Sequence, residues 1–456
     1  MRVVRRYLQS DRAPVAAVWL LVIAVAALIY WHLRNQPFFW DAKGYVDAAR
    51  DISDHGLLSK WANSDRRSYG YPLFLVGALK VARGLHVGPT TGIFLAQWPI
   101  FVGTTWLVAR SLFSSRRTRL IAFAAVAADP LLVVYAPQAF TESLTLSCIL
   151  FATAALGRAA RMTPGRASAA WLTAGAAVCS YAVVIRPGSV LVPCCYGLAA
   201  AALLAWQRRR GQWVGIGAVA ALMVVAFVAP LIPQMVINHL HYGSSSPLPT
   251  YDLAGLQAQY GLLLARYSTN VSTCGKPRLE FPNPHRVTTS ADTTTLDALR
   301  YYTLTWPDGP ELLVLHVFSG FDPRPFLIDQ RDFGTWYERV FQAFTVALLF
   351  LAGAGLIRAV RRLRALDPRL RIDSLFLGAV TVIFLGVLAT SAAEYRFGSV
   401  PLVTISLLAA LWVGQRWRPS GRVVALSLIG YCGVLLVWIT FSDLLLSTSP
   451  IWQQCS

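Results

Sequence analysis

The sequence predicts an all-α polytopic membrane protein with about eleven transmembrane helices, and three observations carry that reading. Hydrophobic residues make up 55% of the 456-residue chain and charged residues only 14%, with a mean hydropathy of +0.51; soluble domains run near a quarter charged. The apolar residues fall in unbroken runs of roughly 20, the length that crosses a hydrocarbon core as a helix. Lys and Arg are also concentrated in the short connecting segments of one side. The continuous runs exclude a β-barrel, whose strands alternate, and the composition excludes a soluble enzyme, a disordered chain and a disulfide-stapled domain.

Reading hydrophobicity along the chain places the spans at 13–33, 90–110, 119–136, 141–157, 168–185, 189–206, 213–237, 337–357, 373–391, 398–414 and 423–442. The first run is long, lacks a small-residue cleavage site and ends in Tyr30 and Trp31, so it reads as a retained anchor. Six basic segments fall on one side if the spans alternate: Arg2 to Arg12, Arg110 to Arg119, Arg158 to Arg166, Arg208 to Arg210, Arg358 to Arg371 and Arg416 to Arg422. They hold more than half of the 41 Lys and Arg residues, with only Asp11, Asp367 and Asp373 among the acids. The net charge of +19 is therefore a topology signal and not a nucleic-acid footprint. By the positive-inside rule the N-terminus is cytoplasmic and the C-terminus outside. The composition fits a bacterial plasma (inner) membrane.

The same parity puts the two long polar segments, 34–89 and 240–335, outside. The expected organisation is an N-terminal membrane module over 1–239, an extracytoplasmic loop over 240–335 and C-terminal membrane helices over 336–456. The 240–335 loop reads as a partly helical lid, with short helices at 253–265 and 294–303. Tyr301, Tyr302 and Trp306 there suit either sugar stacking or interface anchoring, and Asn270-Val271-Ser272 forms a glycosylation triplet. Cys274 and Cys455 are both placed outside.

Chemistry is expected on the outer side. In the first outer loop, aromatics at Phe38, Phe39 and Trp40 suit headgroup depth, and Asp41 follows directly. An amphipathic helix is predicted from there to about residue 58, with Asp41 either its N-cap or a functional carboxylate at the membrane surface. Arg66 and Arg67 go against the charge bias of the chain; they are solvated charges or a phosphate-attracting pair. After them Gly70-Tyr71-Pro72 leads into a second surface-lying helix, roughly 72–85. Ionisable residues also mark the outer ends of later spans: Asp129, Glu142, Arg186, Glu394 and Arg396. A carboxylate inside a span is costly and points to function or strong pairing. For Glu142 the competing reading is a helix-dipole partner, and for Arg186 and Arg396 it is snorkelling.

Together these features resemble the GT-C superfamily of membrane glycosyltransferases, in the branch of the dolichyl-phosphate-mannose protein mannosyltransferases and lipid A aminoarabinose transferases. The residues that carry the resemblance are the basic anchor, Asp41 in the first outer loop and Gly70-Tyr71-Pro72 before the second span. Pro130 to Thr141-Glu142, Arg186-Pro187, and Tyr395-Arg396-Phe397 followed by Pro401 complete it. It covers residues 13–206 and, more loosely, 336–414. The chain departs from the protein mannosyltransferases in having Asp41 without an adjacent Glu and no large C-terminal soluble domain.

The resemblance implies transfer of a sugar, of hexosyl or pentosyl type, from a polyprenyl-monophosphate carrier to a glycan, lipid or protein acceptor outside the membrane, with inversion. Asp41 would be the base and Glu142 would orient an arginine. Arg396, with Arg186 or the Arg66/Arg67 pair, would hold the phosphate. A divalent cation on Asp41 is left open. Two alternatives come from other classes: a lipid-linked polysaccharide polymerase or ligase, and a polytopic transporter or flippase. The latter would show repeats or charged, broken helices at midplane, and the sequence shows no repeat.

Overall fold

The computed structural model describes residues 13–38, 40–60, 65–209, 215–268, 279–285, 287, 294–323, 335–365, 371–391, 395–414 and 421–447. Asn270, Cys274, Glu394 and Cys455 lie outside them. The chain divides into two compact units, Met1–Thr250 with Arg358–Val380, and Tyr251–Ile357 with Thr381–Ser456.

The first unit opens with helix α1 (Ala13–Leu33), followed by α2 (Trp40–His55) and α3 (Gly70–Gly84) of the first loop. Both loop helices are amphipathic, as predicted. α2 buries Ala42, Val46, Ala49 and Ile52, and α3 buries Tyr71, Leu75, Ala78 and Ala82, the three-to-four spacing of one helical face. Then come α4 (Pro89–Leu112), α5 (Arg116–Ala127), α6 (Pro130–Val133), α7 (Thr141–Arg161), α8 (Arg166–Ile185), α9 (Leu191–Arg209), α10 (Ile216–Val228) and α11 (Ile232–Tyr242). α7 is the central helix. It packs on both α4 and α8 and is buried on nearly every side.

Among the described residues, ten helices are long and apolar enough to cross a membrane. They match ten of the predicted spans, and the protein is an all-α polytopic membrane protein. The remaining predicted span, 119–136, is not one helix. α5 ends after 12 residues, Asp129 caps the four-residue α6 by accepting from Leu131 N at 2.9 Å, and turns lead on to α7. This stretch nevertheless runs along α4 from its C-terminal end to the level of Gln97. The C-terminal ends of α4 and α7 meet where Arg161 reaches Ser111 and Asp373, both at 3.0 Å. Farther up α4, the Gln97 amide donates to the carbonyls of Ala136 (3.2 Å) and Gln138 (2.9 Å). Irregular backbone is tolerated at membrane depth only when buried in protein, and residues 131–137 are all buried.

The basic end of this unit is fastened by Asp373. It accepts from Ser111 at 2.9 Å and pairs with Arg161, while Arg362 donates to the Leu112 carbonyl at 2.8 Å. Three of the basic segments therefore share one end of the bundle.

The second unit contains α12 (Leu253–Leu263), an antiparallel hairpin of β1 (Leu264–Ser268) and β2 (Leu279–Pro282), α13 (Thr295–Leu304) and α14 (Asp308–Phe321). Residues of α15 (Thr335–Ala365) and α16 (Ile372–Thr390), with α17 (Ser399–Val413) and α18 (Gly421–Ser447), supply its membrane part. The helices at 253–265 and 294–303 were expected; the hairpin and α14 were not. Tyr302 cannot stack on a sugar, because it is 2% exposed and packed among Ala258, Leu262, Leu312 and Leu315. Trp306 is exposed. Within the bundle Asp322 is fully buried and receives Ser442 Oγ at 2.6 Å and Gln342 Nε2 at 3.0 Å.

Candidate active site

Asp41 stands in the first turn of α2. Its carboxylate faces the loop before α3, where Arg67 Nη2 approaches Oδ1 at 3.2 Å. Both side chains are about a third exposed, at 35% and 29%. The Arg67 guanidinium also lies over the Tyr45 ring, 5.1 Å from its centre. Tyr45, one turn after Asp41, meets Tyr71 edge-on at 5.0 Å. Arg66, by contrast, is exposed.

A second carboxylate–arginine pair sits at the outer end of α7. Glu142 is in the first turn of that helix and 1% exposed, and Arg186, which ends α8, donates to it at 3.1 Å. The Thr141 hydroxyl donates to its other oxygen at 3.4 Å. A helix N-terminus and a guanidinium thus share one buried negative charge. Arg186 is only 14% exposed, which does not fit a side chain reaching for water.

Tyr71 links the two pairs. Its ring rests against Tyr45, and its hydroxyl donates to Gln97 Oε1 at 3.4 Å. Burial first, and then the nearby Glu142 charge, push its phenol well above the ordinary range, so it stays protonated. α3 is tied to α8 as well, by the Tyr181 hydroxyl donating to the Gly70 carbonyl at 3.0 Å. Asp41, Arg67, Tyr45, Tyr71, Glu142 and Arg186 therefore form one connected neighbourhood. α7 carries Glu142 at one end and Arg161 at the other, 19 residues apart, about 28 Å along a helix. The neighbourhood is at the end remote from the basic cluster.

Arg396 belongs to the second unit. It sits in the 3-10 turn Tyr395–Gly398 that packs against α14, with its guanidinium 5.5 Å from the Phe397 ring centre. Asp129 spends one oxygen on capping α6. Among the described residues no three His, Cys, Asp or Glu side chains converge as a metal cluster.

No protein-family model and no curated protein matches the chain. Solved structures do. ArnT from Cupriavidus metallidurans, crystallised with undecaprenyl phosphate, superposes with a TM-score of 0.52 over 93% of this chain and 64% of that one. The fold is GT-C-like. Sequence identity in that alignment is 15%, and this chain spans about 64% of the ArnT chain's length. The apo form of ArnT gives a TM-score of 0.49 at 15% identity, over 91% of this chain and 63% of that one.

The residues that sequence reasoning missed are Tyr45, Tyr71 and Gln97. For Gln97 a signal exists: an amide in the middle of an apolar run requires buried partners. Tyr71 stands in the Gly70-Tyr71-Pro72 turn that carries the resemblance, but for the packing of the two tyrosines there is no signal, because aromatic residues near a membrane surface are common.

Proposed function

We propose that the protein is a glycosyltransferase that moves a sugar from a polyprenyl-monophosphate carrier to an acceptor on the extracytoplasmic side. The observation that carries this is the pairing of each carboxylate with an arginine, Asp41 with Arg67 and Glu142 with Arg186, at the end of a GT-C-like bundle remote from its basic cluster. The undecaprenyl phosphate of the ArnT crystal structure supports a polyprenyl-phosphate donor. The positive-inside bias supports the orientation, with the N-terminus in the cytoplasm.

The chemistry needs few parts. Asp41 accepts the proton of the acceptor hydroxyl as that oxygen attacks the anomeric carbon. The bond from that carbon to the phosphate oxygen breaks on the opposite face, and the phosphate leaves with the electron pair. Because a phosphate ester is a good leaving group, the protein supplies cations rather than a strong acid. Arg67 and Arg186 are the guanidinium groups assigned to that charge. Glu142 holds Arg186 in place.

The test is sugar transfer by the purified full-length protein in lipid nanodiscs, with a panel of radiolabelled sugar-polyprenyl phosphates and no ion gradient. Transfer or donor hydrolysis with release of polyprenyl phosphate is expected. A protein that turns over only diphosphate-linked donors would be a polymerase or ligase, and one that moves the lipid across the bilayer without breaking it would be a flippase.

A further inference from the structure

A glycine stands in the second turn of α2, where it weakens the helix relative to alanine. Helical geometry gives it no reason to be there. Space does: a Cβ on Gly44 would lie 2.7 Å from Arg67 Nη2, 2.8 Å from Cζ and 2.9 Å from Nη1. The flat guanidinium lies on the bare backbone at Gly44, between the Asp41 carboxylate and the Tyr45 ring.

We infer that Gly44 is a positioning residue, a seat on α2 that holds the Arg67 guanidinium against Asp41 and within reach of an anionic leaving group. The inference rests on the proposed transferase reading for its catalytic meaning, but the seat itself is a matter of geometry. Arg67 meets Asp41 through Nη2 alone, a single prong of a fork with five N–H donors. An arginine held this way has donors left for a phosphate oxygen. When they engage the carrier phosphate, the hold on Asp41 loosens and the carboxylate becomes a better base. One side chain thereby ties donor binding to base activation. Adding a methyl group at Gly44 would displace the far end of Arg67, a flexible side chain, and not the helix.

The test is a double-mutant cycle in the full-length protein, read both by turnover and by melting temperature in detergent. Gly44→Ala is expected to lower kcat/KM for the sugar-polyprenyl phosphate at least 10-fold. In an Arg67→Ala background the same substitution is expected to have no effect on turnover, because Gly44 acts only through Arg67. Its effect on melting temperature should be larger and positive in that background, where the gain in helix propensity is not opposed by displacing Arg67. Arg67→Lys, which keeps the charge on a slimmer group, should restore part of the Gly44→Ala loss. Equal effects of Gly44→Ala in both backgrounds, on turnover and on melting temperature, would overturn the seat. A wild-type protein that transfers no sugar would overturn the transferase reading instead, and the melting-temperature cycle would still decide the seat.

Discussion

Asp41 and Glu142 are both carboxylates facing an arginine, yet their surroundings assign them different work. The Asp41 pair is about a third exposed, and pairs of that kind contribute only about 0–1 kcal/mol to stability. Asp41→Asn should leave abundance and melting temperature near wild type. It should lower sugar-transfer turnover by roughly 10²-fold or more, since an amide cannot take the acceptor's proton. Asp41→Glu should be impaired too, because moving the carboxylate by about 1 Å can cost about 10²-fold. Asp47→Asn is the control: Asp47 makes only an exposed i,i+3 pair with Arg50 at 3.4 Å, and its loss should be nearly silent. Full activity in Asp41→Asn would move the search for the base to Asp129 or Glu142. Glu142→Gln should behave in the opposite way to Asp41→Asn. Removing one member of a buried pair leaves the other charge stranded, at about 3–5 kcal/mol, so the melting temperature should fall clearly before any kinetic effect is read.

The helices of the first loop were legible in the sequence because amphipathic spacing is local, but the face expected for α2, Tyr45, Ala48, Ala49 and Ile52, is rotated from the one it buries, Ala42, Val46, Ala49 and Ile52. The broken crossing at 119–136 was not legible. Its composition is that of a span, and what breaks it is Asp129-Pro130 together with a neighbour, Gln97, that lies 39 residues from the Ala136 carbonyl it holds. Hydropathy averages cannot register a partner on another helix. The ion pairs escaped for the same reason, since Asp41 and Arg67 are 26 residues apart and Glu142 and Arg186 are 44 apart. The residue types at the site were readable, but their pairing was not. Gln97 gives the crossing a testable anchor. Gln97→Leu would strand the buried Ala136 carbonyl, at about 1–3 kcal/mol, and the half-buried one of Gln138, and so should lower the melting temperature in detergent. A melting temperature unchanged from wild type would mean that Gln97 does not anchor 134–140.

At the scale of the whole molecule, the expected positive-inside orientation calls for eleven crossings, and among the described residues ten helices are long and apolar enough to make ten of them. The stretch between α4 and α7 would supply the other, because it begins at the basic end and leads to the end of α7 that carries Glu142. The expected parity then needs no eleventh long helix. The consequence is measurable in intact cells: an impermeant thiol reagent should label Cys274 and Cys455 unless they are bonded to each other. Labelling only after the membrane is broken would overturn the orientation.

The short α5 has a further consequence for how the protein is made. Twelve residues span about 18 Å as a helix, well short of a hydrocarbon core of about 30 Å, and three of them, Arg116, Arg117 and Arg119, are charged. Such a helix cannot cross alone, and the irregular backbone after it is tolerated at membrane depth only against protein. α5 packs on α1 and α4, and α6 on α1, and Gln97 of α4 holds the carbonyls of Ala136 and Gln138. A reporter acceptor site placed near Gln138 should therefore be modified in the wild-type chain and less so in Gln97→Leu, which loses that hold; equal modification of the two would mean that the stretch crosses without it.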